Sequence, residues 1–297
     1  MSITLVAVVV TVLLGQLAPR AVAAWRRHDL FARWQLWLDR HLHEQPLWTG
    51  VAGAGVAIVP WLVPVALLQG WLHGPLAGVL GLVFGIAVLV WAWGPRDLDA
   101  DVRAVLDAED GVSQRIAISQ LGAQTGSGGG QGPVLVEAVF RSALTRWFSV
   151  VFWFLLLGPA GAVLYRLCAL SAVGVTAARL PLAHRAGAQR LLALMEWPVA
   201  QLLILSMALM SNFDAVFNAW RAAGGMRLQL ETDFLGAAAR ASVNAELAEH
   251  VQDYVADGLA PPLQDMPELR DAMSLVWRIL LLWLALMALF VIAGWVS

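Results

Sequence analysis

The chain has 297 residues, of which 60% are hydrophobic and only 13% charged, with a formal net charge of −2 and a mean hydropathy of +0.70. Soluble domains carry about a quarter charged residues, so an ordinary water-soluble fold is excluded, and the absence of a basic excess excludes nucleic acid as a partner. All 19 basic residues are arginines, which removes every lysine-dependent chemistry: P-loop, Schiff base and lysine general base.

Six apolar segments follow one another, and about 20 apolar residues are needed to cross a bilayer. The first, residues 2–18, holds no charge and precedes its basic cluster, an order that fits a retained signal-anchor better than a cleaved signal peptide. Residues 20–46 read as an interfacial helix: Leu30, Trp34, Trp37, Leu38 and Leu42 share one face, and Arg26, Arg33 and Arg40 recur every seven residues on another. Basic amphipathic helices with aromatic anchors lie on anionic membrane surfaces. The second segment, 51–69, contains Pro60 and Pro64, each removing a backbone donor, so a kink is expected. The third, 75–93, carries Gly74, Gly78, Gly81 and Gly85 at helical spacing, a smooth stripe suited to close helix approach and to a homodimer contact. Trp71, Trp91, Trp93, Trp147 and Trp295 stand at segment ends, where indoles suit the headgroup region.

Residues 94–146 read as a cytoplasmic loop containing a helix over 97–121, with Asp99 and Arg103 one turn apart, and a Gly/Ser linker at 126–132. The linker lacks the lysine and helix-starting Ser/Thr of a phosphate loop and reads as a tether. Segments four (147–167) and five (191–210) conflict with the positive-inside bias. If segment four spans, the connection with Arg166, Arg179, Arg185 and Arg190 lies outside. The two are therefore read as a hydrophobic hairpin that enters the membrane or packs on its cytoplasmic side, with full spans and a basic external loop as the alternative. Residues 212–272 read as one or two cytoplasmic amphipathic helices ended by Pro261 and Pro262, before the closing span 275–295, which carries Arg278. The expectation is an all-α, polytopic helical membrane protein over 1–297: four spans, a hairpin and cytoplasmic amphipathic helices.

Little in the chain suggests catalysis. The lone Cys168 sits in an apolar run and reads as a packed small hydrophobe. His250 with Glu246, Glu249 and Asp253 reads as a solvated charged face, so no metal or other cofactor is expected. The densest polar signal flanks segment four. Glu137, Arg141 and Arg146 precede it, Tyr165 and Arg166 end it, and Arg190 and Glu196 open segment five. Glu137 and Arg141 are four apart and can pair on a helix. Glu196, an ionisable residue within an apolar stretch, calls for a partner such as Arg190, Arg166 or Arg141. These seven residues form the expected ligand-binding set, with no catalytic residue among them.

The run from Val136 to Leu167, with Phe152-Trp-Phe-Leu-Leu-Leu-Gly-Pro-Ala-Gly-Ala and Tyr165-Arg-Leu as its specific part, resembles the AmpE family of bacterial inner-membrane proteins. Leu191-Leu-Ala-Leu-Met-Glu-Trp-Pro-Val-Ala-Gln-Leu202, Asn212-Phe-Asp-Ala-Val and Ala219-Trp-Arg221 extend the similarity. The resemblance implies a multi-pass inner-membrane regulator of β-lactamase induction and peptidoglycan recycling. It also implies as partners the bilayer and either components of the AmpD pathway or a muropeptide. That family is distantly similar to the CobD/CbiB adenosylcobinamide-phosphate synthases. Glu137 matches the first glutamate of the synthases, but Arg141, Ser142 and Thr145 replace their acidic cluster, and their N-terminal Gly-Asp-Pro motif is absent. Carboxylates that would hold Mg²⁺ or act as base are thus missing, so corrinoid chemistry is expected to be lost and an anion to be the preferred ligand. A membrane enzyme of the synthase-like fold acting on another anionic substrate is the second reading, and a transporter the third.

Overall fold

The computed structural model describes residues 2–17, 28–72, 78–94, 97–122, 131–227, 230–256 and 266–293, and among them every regular element is helical. The linker at 126–130, Gly74, Arg20, Arg26, Arg27, Pro261, Pro262 and Trp295 lie outside the described residues, as do the side chains of His250 and Asp253. Four helices are long and apolar enough to cross a membrane: Gly50–Trp71, Gly132–Leu157, Leu182–Met210 and Pro267–Ile292. The first and last match the second and sixth predicted segments. The other two belong to the disputed hairpin, whereas the first and third apolar segments are the shorter helices Ser2–Leu17 and Gly78–Ala92.

The chain divides into two compact units. The first comprises Met1–Pro95, Trp147–Glu196 and Leu286–Ser297; the second comprises Arg96–Arg146 and Trp197–Ala285. In the first unit, α1 (Ser2–Leu17) packs along α4 (Gly78–Ala92), and Gly85 lets Ala7 and the Phe154 ring come close. The glycine stripe is thus partly used within the chain, while Gly78 faces open space. Helix α2 (Asp29–Leu42) lies against α3 (Gly50–Trp71). Its Phe31 ring meets Trp61 at 6.1 Å, the Trp34 indole donates to the Ala57 carbonyl at 3.1 Å, and Leu38 clusters with Trp48 and Ala57. As the chain advances along α2 its contacts step back along α3, so the two run antiparallel. The predicted surface helix is therefore packed lengthwise, and its buried face is Phe31, Gln35 and Leu38.

Segment four is not one helix. α8 (Ser149–Leu157) ends at Gly158, whose φ of +70° lies in the left-handed region, and α9 (Pro159–Ala172) starts with proline at its first position. A proline tolerates that position because its missing N–H would be unsatisfied anyway. The break exposes a carbonyl and an N–H, and one side chain of α3 takes both. Gln69 Nε2 donates to the Leu157 carbonyl at 3.1 Å, and Gln69 Oε1 accepts from the Ala160 N–H at 2.8 Å. A Cβ on residue 158 would also strike the Gln69 amide, so glycine is required twice over. Trp93 and Trp147, expected as interface anchors, are buried with ring centroids 6.4 Å apart, whereas Trp71 is exposed as expected.

In the second unit the predicted helix over 97–121 is two, α5 (Leu98–Leu106) and α6 (Gly111–Leu121), because Asp110 caps a new start. The Ser113 hydroxyl, then its N–H, hold the Asp110 carboxyl below its usual range. A depressed folded pKa means this cap contributes at neutral pH and fades as pH falls through that range. α7 (Gln131–Ala143) continues through a π turn, Leu144–Phe148, into α8, so the stretch read as loop up to residue 146 is helical from 131. The charges of this stretch are tolerated because each has an opposite charge to meet. α10 (Leu182–Met210) starts nine residues before the expected segment five, and Gly187 touches the Gly50 backbone so closely that no Cβ fits. α11 (Phe213–Ala222) and α12 (Asp233–Ala256) fill the predicted amphipathic stretch, and α13 (Pro267–Ile292) closes the fold.

Replacing Gln69 by Leu strips both partners from the Gly158 break, and a backbone group left unpaired in an apolar surround costs about 1–3 kcal/mol. Thermal unfolding in detergent should show a lowered midpoint for Gln69→Leu and little change for Leu68→Ala on the exposed face.

Candidate functional site

The seven residues singled out in the sequence fall into two groups, one in each unit. The group in the second unit is built from ion pairs. Glu137 on α7 does not pair with Arg141 one turn away but with Arg240 on α12, whose neighbour Gly236 leaves room for the carboxylate. Arg141 instead pairs with Asp233 at 3.3 Å, both side chains being more than half exposed (60% and 82%). The tertiary partners win over the local one because α7 and α12 pack side by side. Arg146, in the π turn, donates to Asp101 at 2.6 Å, where the aspartate is 2% exposed, and also reaches the Gln120 carbonyl at 3.4 Å. Farther along, Arg278 of the closing helix pairs with Glu246, which explains how one charge is accommodated there. Glu246 was read as part of a solvated face; it is instead largely covered.

The group in the first unit centres on α9. Tyr165 is fully buried, and its hydroxyl donates to Glu196 Oε1 at 2.8 Å. The partner of Glu196 in this bond is thus a phenol, supplied by the same segment that was expected to supply an arginine. Arg166 Nε donates to the Ala92 carbonyl at the end of α4. One turn on, Ser171 receives the amide of Gln35 from α2 at 2.8 Å and passes its own hydroxyl to Leu167. α9 therefore makes polar links to α10 and α4 from the adjacent Tyr165 and Arg166 and to α2 from Ser171, while Leu167 and Cys168 fill the space between. Cys168 is free and buried, as expected. Arg190 is exposed on α10.

Sequence reasoning missed two polar features and, in a third, the meeting of two helix faces it read as separate. Trp153 donates its indole N–H to the Met195 carbonyl at 3.2 Å, tying α8 to α10 beside the Tyr165–Glu196 pair. His184 is buried, contacts the Trp48 carbonyl through Nδ1 at 3.1 Å and lies tilted against the Trp48 ring at 4.3 Å, while the Trp48 indole donates to Asp39 at 2.7 Å. The third is a groove of about 510 Å³ along the outer face of α2, where Arg33 and Arg40 alternate with Trp34 and Trp37 and Trp61 of α3 closes one side. The seven-residue spacing of the arginines was the available signal for it. Among the described residues no cluster of three His, Cys, Asp or Glu side chains is arranged to hold a metal ion.

The two groups differ in expected energetics. The Arg146–Asp101 pair is buried, and removing one partner of such a pair typically costs about 3–5 kcal/mol, whereas half-exposed pairs are worth about 0–1 kcal/mol. Asp101→Ala should therefore lower the unfolding midpoint in detergent far more than Glu137→Ala does. Equal effects would show that the Glu137 pair matters beyond its exposure.

No family model matches this chain, and neither does any curated protein or solved structure.

Proposed function

We propose that the chain is a multi-pass regulatory protein of the bacterial inner membrane, acting in β-lactamase induction and peptidoglycan recycling and responding to an anionic ligand rather than catalysing a reaction. The observation that carries this reading is where the AmpE-like residues meet. Tyr165 and Trp153 from the run 136–167 hold Glu196 and Met195 from the run 191–202, so the two resembling stretches form one buried polar junction in the first unit. Residues that resemble a family and also contact one another are what a shared working part requires; scattered similarity would not produce it.

The state of the carboxylates supports regulation over synthesis. Glu137, the position matching the synthase glutamate, is engaged by Arg240, and Asp101 by Arg146. A carboxylate already neutralised by a guanidinium is a poor Mg²⁺ ligand, since the two cations compete for the same lone pairs. Anion binding has candidates in Arg190 and in Arg141, whose exposed pair with Asp233 is weak enough to exchange for a ligand.

The test is made in the native host. Chromosomal Tyr165→Phe and Glu196→Gln alleles, checked for normal membrane levels, should reduce β-lactamase induced by a β-lactam several-fold relative to wild type. Wild-type induction in those strains and in a deletion strain would overturn the regulatory reading. Amide formation by the purified protein from aminopropanol phosphate and a corrinoid would restore the enzyme.

A further inference from the structure

The outer face of α2 carries charge that nothing among the described residues answers. Arg33 and Arg40 line the groove described above, and among the described residues neither makes an ion pair or a side-chain hydrogen bond. They are seven residues apart, so they point the same way, separated by about 10 Å along the axis. Between and beside them stand apolar surfaces: Leu30 is 67% exposed, Trp37 is 49% exposed, and Trp34 and Trp37 stack with centroids 5.3 Å apart. The helix cannot turn to hide this face, because Phe31, Gln35 and Leu38 on the opposite face are buried and Gln35 is bonded to Ser171.

The surroundings identify the occupant. α2 runs along the first half of α3, a helix long and apolar enough to span, and Trp61 of α3 forms part of the groove wall. From there the same face of α3 continues as exposed apolar surface at Pro64 and, seven residues on from Trp61, at Leu68, which is 42% exposed. The surface is therefore cationic at one end and aliphatic at the other, without a polar break. A guanidinium beside an apolar wall needs an anion, and it binds phosphate oxygens in bidentate geometry. A soluble anion would satisfy the arginines but leave the indoles and the aliphatic face uncovered. A lipid with an anionic headgroup satisfies both.

We propose that the α2 groove is a binding site for an anionic glycerophospholipid, its phosphate held between Arg33 and Arg40, its glycerol region on Trp34 and Trp37, and an acyl chain laid along Trp61 and the outer face of α3. This site is separate from the Tyr165–Glu196 junction and stands whether or not the chain regulates β-lactamase.

The full-length protein in detergent is titrated with phosphatidylglycerol and, separately, with phosphatidylcholine, and retained lipid is counted by native mass spectrometry. Phosphatidylglycerol should be retained at much lower concentration than phosphatidylcholine. Each basic residue near anionic lipid contributes about 1 kcal/mol, so the double variant Arg33→Gln/Arg40→Gln should bind phosphatidylglycerol at least about tenfold more weakly. Arg221→Gln, an exposed arginine on α11, should leave binding unchanged. Millimolar inorganic phosphate should not displace the lipid; displacement would make the groove a site for a free anion. Should the double variant fail to fold, the wild type still decides: brominated phosphatidylglycerol should quench the Trp37 component of fluorescence, taken as the difference from Trp37→Phe, more than brominated phosphatidylcholine does. Equal retention or equal quenching by the two lipids, or full retention by a folded double variant, overturns the proposal.

Discussion

In an apolar surround a polar group that leaves water must find a partner inside the protein, and this constraint organises the fold. Its sharpest expression is at the prolines inside helices. A proline removes the N–H that would serve the carbonyl four residues back, and its ring presses on that carbonyl and opens the turn before it. Three residues before Pro60 is Ala57, whose carbonyl receives the Trp34 indole; three before Pro198 is Met195, whose carbonyl receives Trp153. Different helices solve the same problem in the same way. Gln69 does so for the Gly158 break, and elsewhere Trp220 donates to Gln201 and Trp283 to Ser206. The 15 tryptophans are thus partly a supply of N–H groups on large apolar bodies, well suited to a chain without lysine.

The two compact units meet the constraint with different chemistry. Around α9 the links run from a phenol to a carboxyl, from an amide to a hydroxyl and from a guanidinium to a backbone carbonyl: Tyr165 to Glu196, Gln35 to Ser171, Arg166 to Ala92. In the second unit, guanidinium–carboxylate pairs join α7 to α12, the π turn to α5, and α13 to α12. Ion pairs suit helices that carried their charges in from amphipathic sequence.

What could be read from the sequence was set by distance along the chain. Helical class, the apolar stretches and the Asp99–Arg103 pair are encoded locally, and all are found, although the fourth stretch breaks at Gly158 and the helix of the fifth begins at Leu182. The Glu137–Arg141 pairing was a sound local inference overturned by partners 103 and 92 residues away. No local pattern says that α7 will lie on α12. The extent of the helices failed for a related reason: charges at 137, 141 and 146 looked like loop, because their compensating charges lie in other segments. The candidate site was legible as a list, since the seven residues are all engaged or exposed polar groups near the ends of apolar runs. Its division between two units was not, because position along one helix does not tell which neighbour it touches. The tryptophans were misread in part for the opposite reason. Their place at segment ends is common to anchors and to buried donors.

The Gln69 amide also has a consequence in time. Its backbone acceptor, Leu157, lies 88 residues later in the chain. At the roughly 5–20 residues per second of synthesis, Gln69 is made about 4–18 s before the helix break that it will close. During that interval a primary amide stands on a strongly apolar helix before its two partners at the corner exist. The final seating of this helix is therefore a late event of biogenesis, postponed until the Leu157–Ala160 corner has been translated.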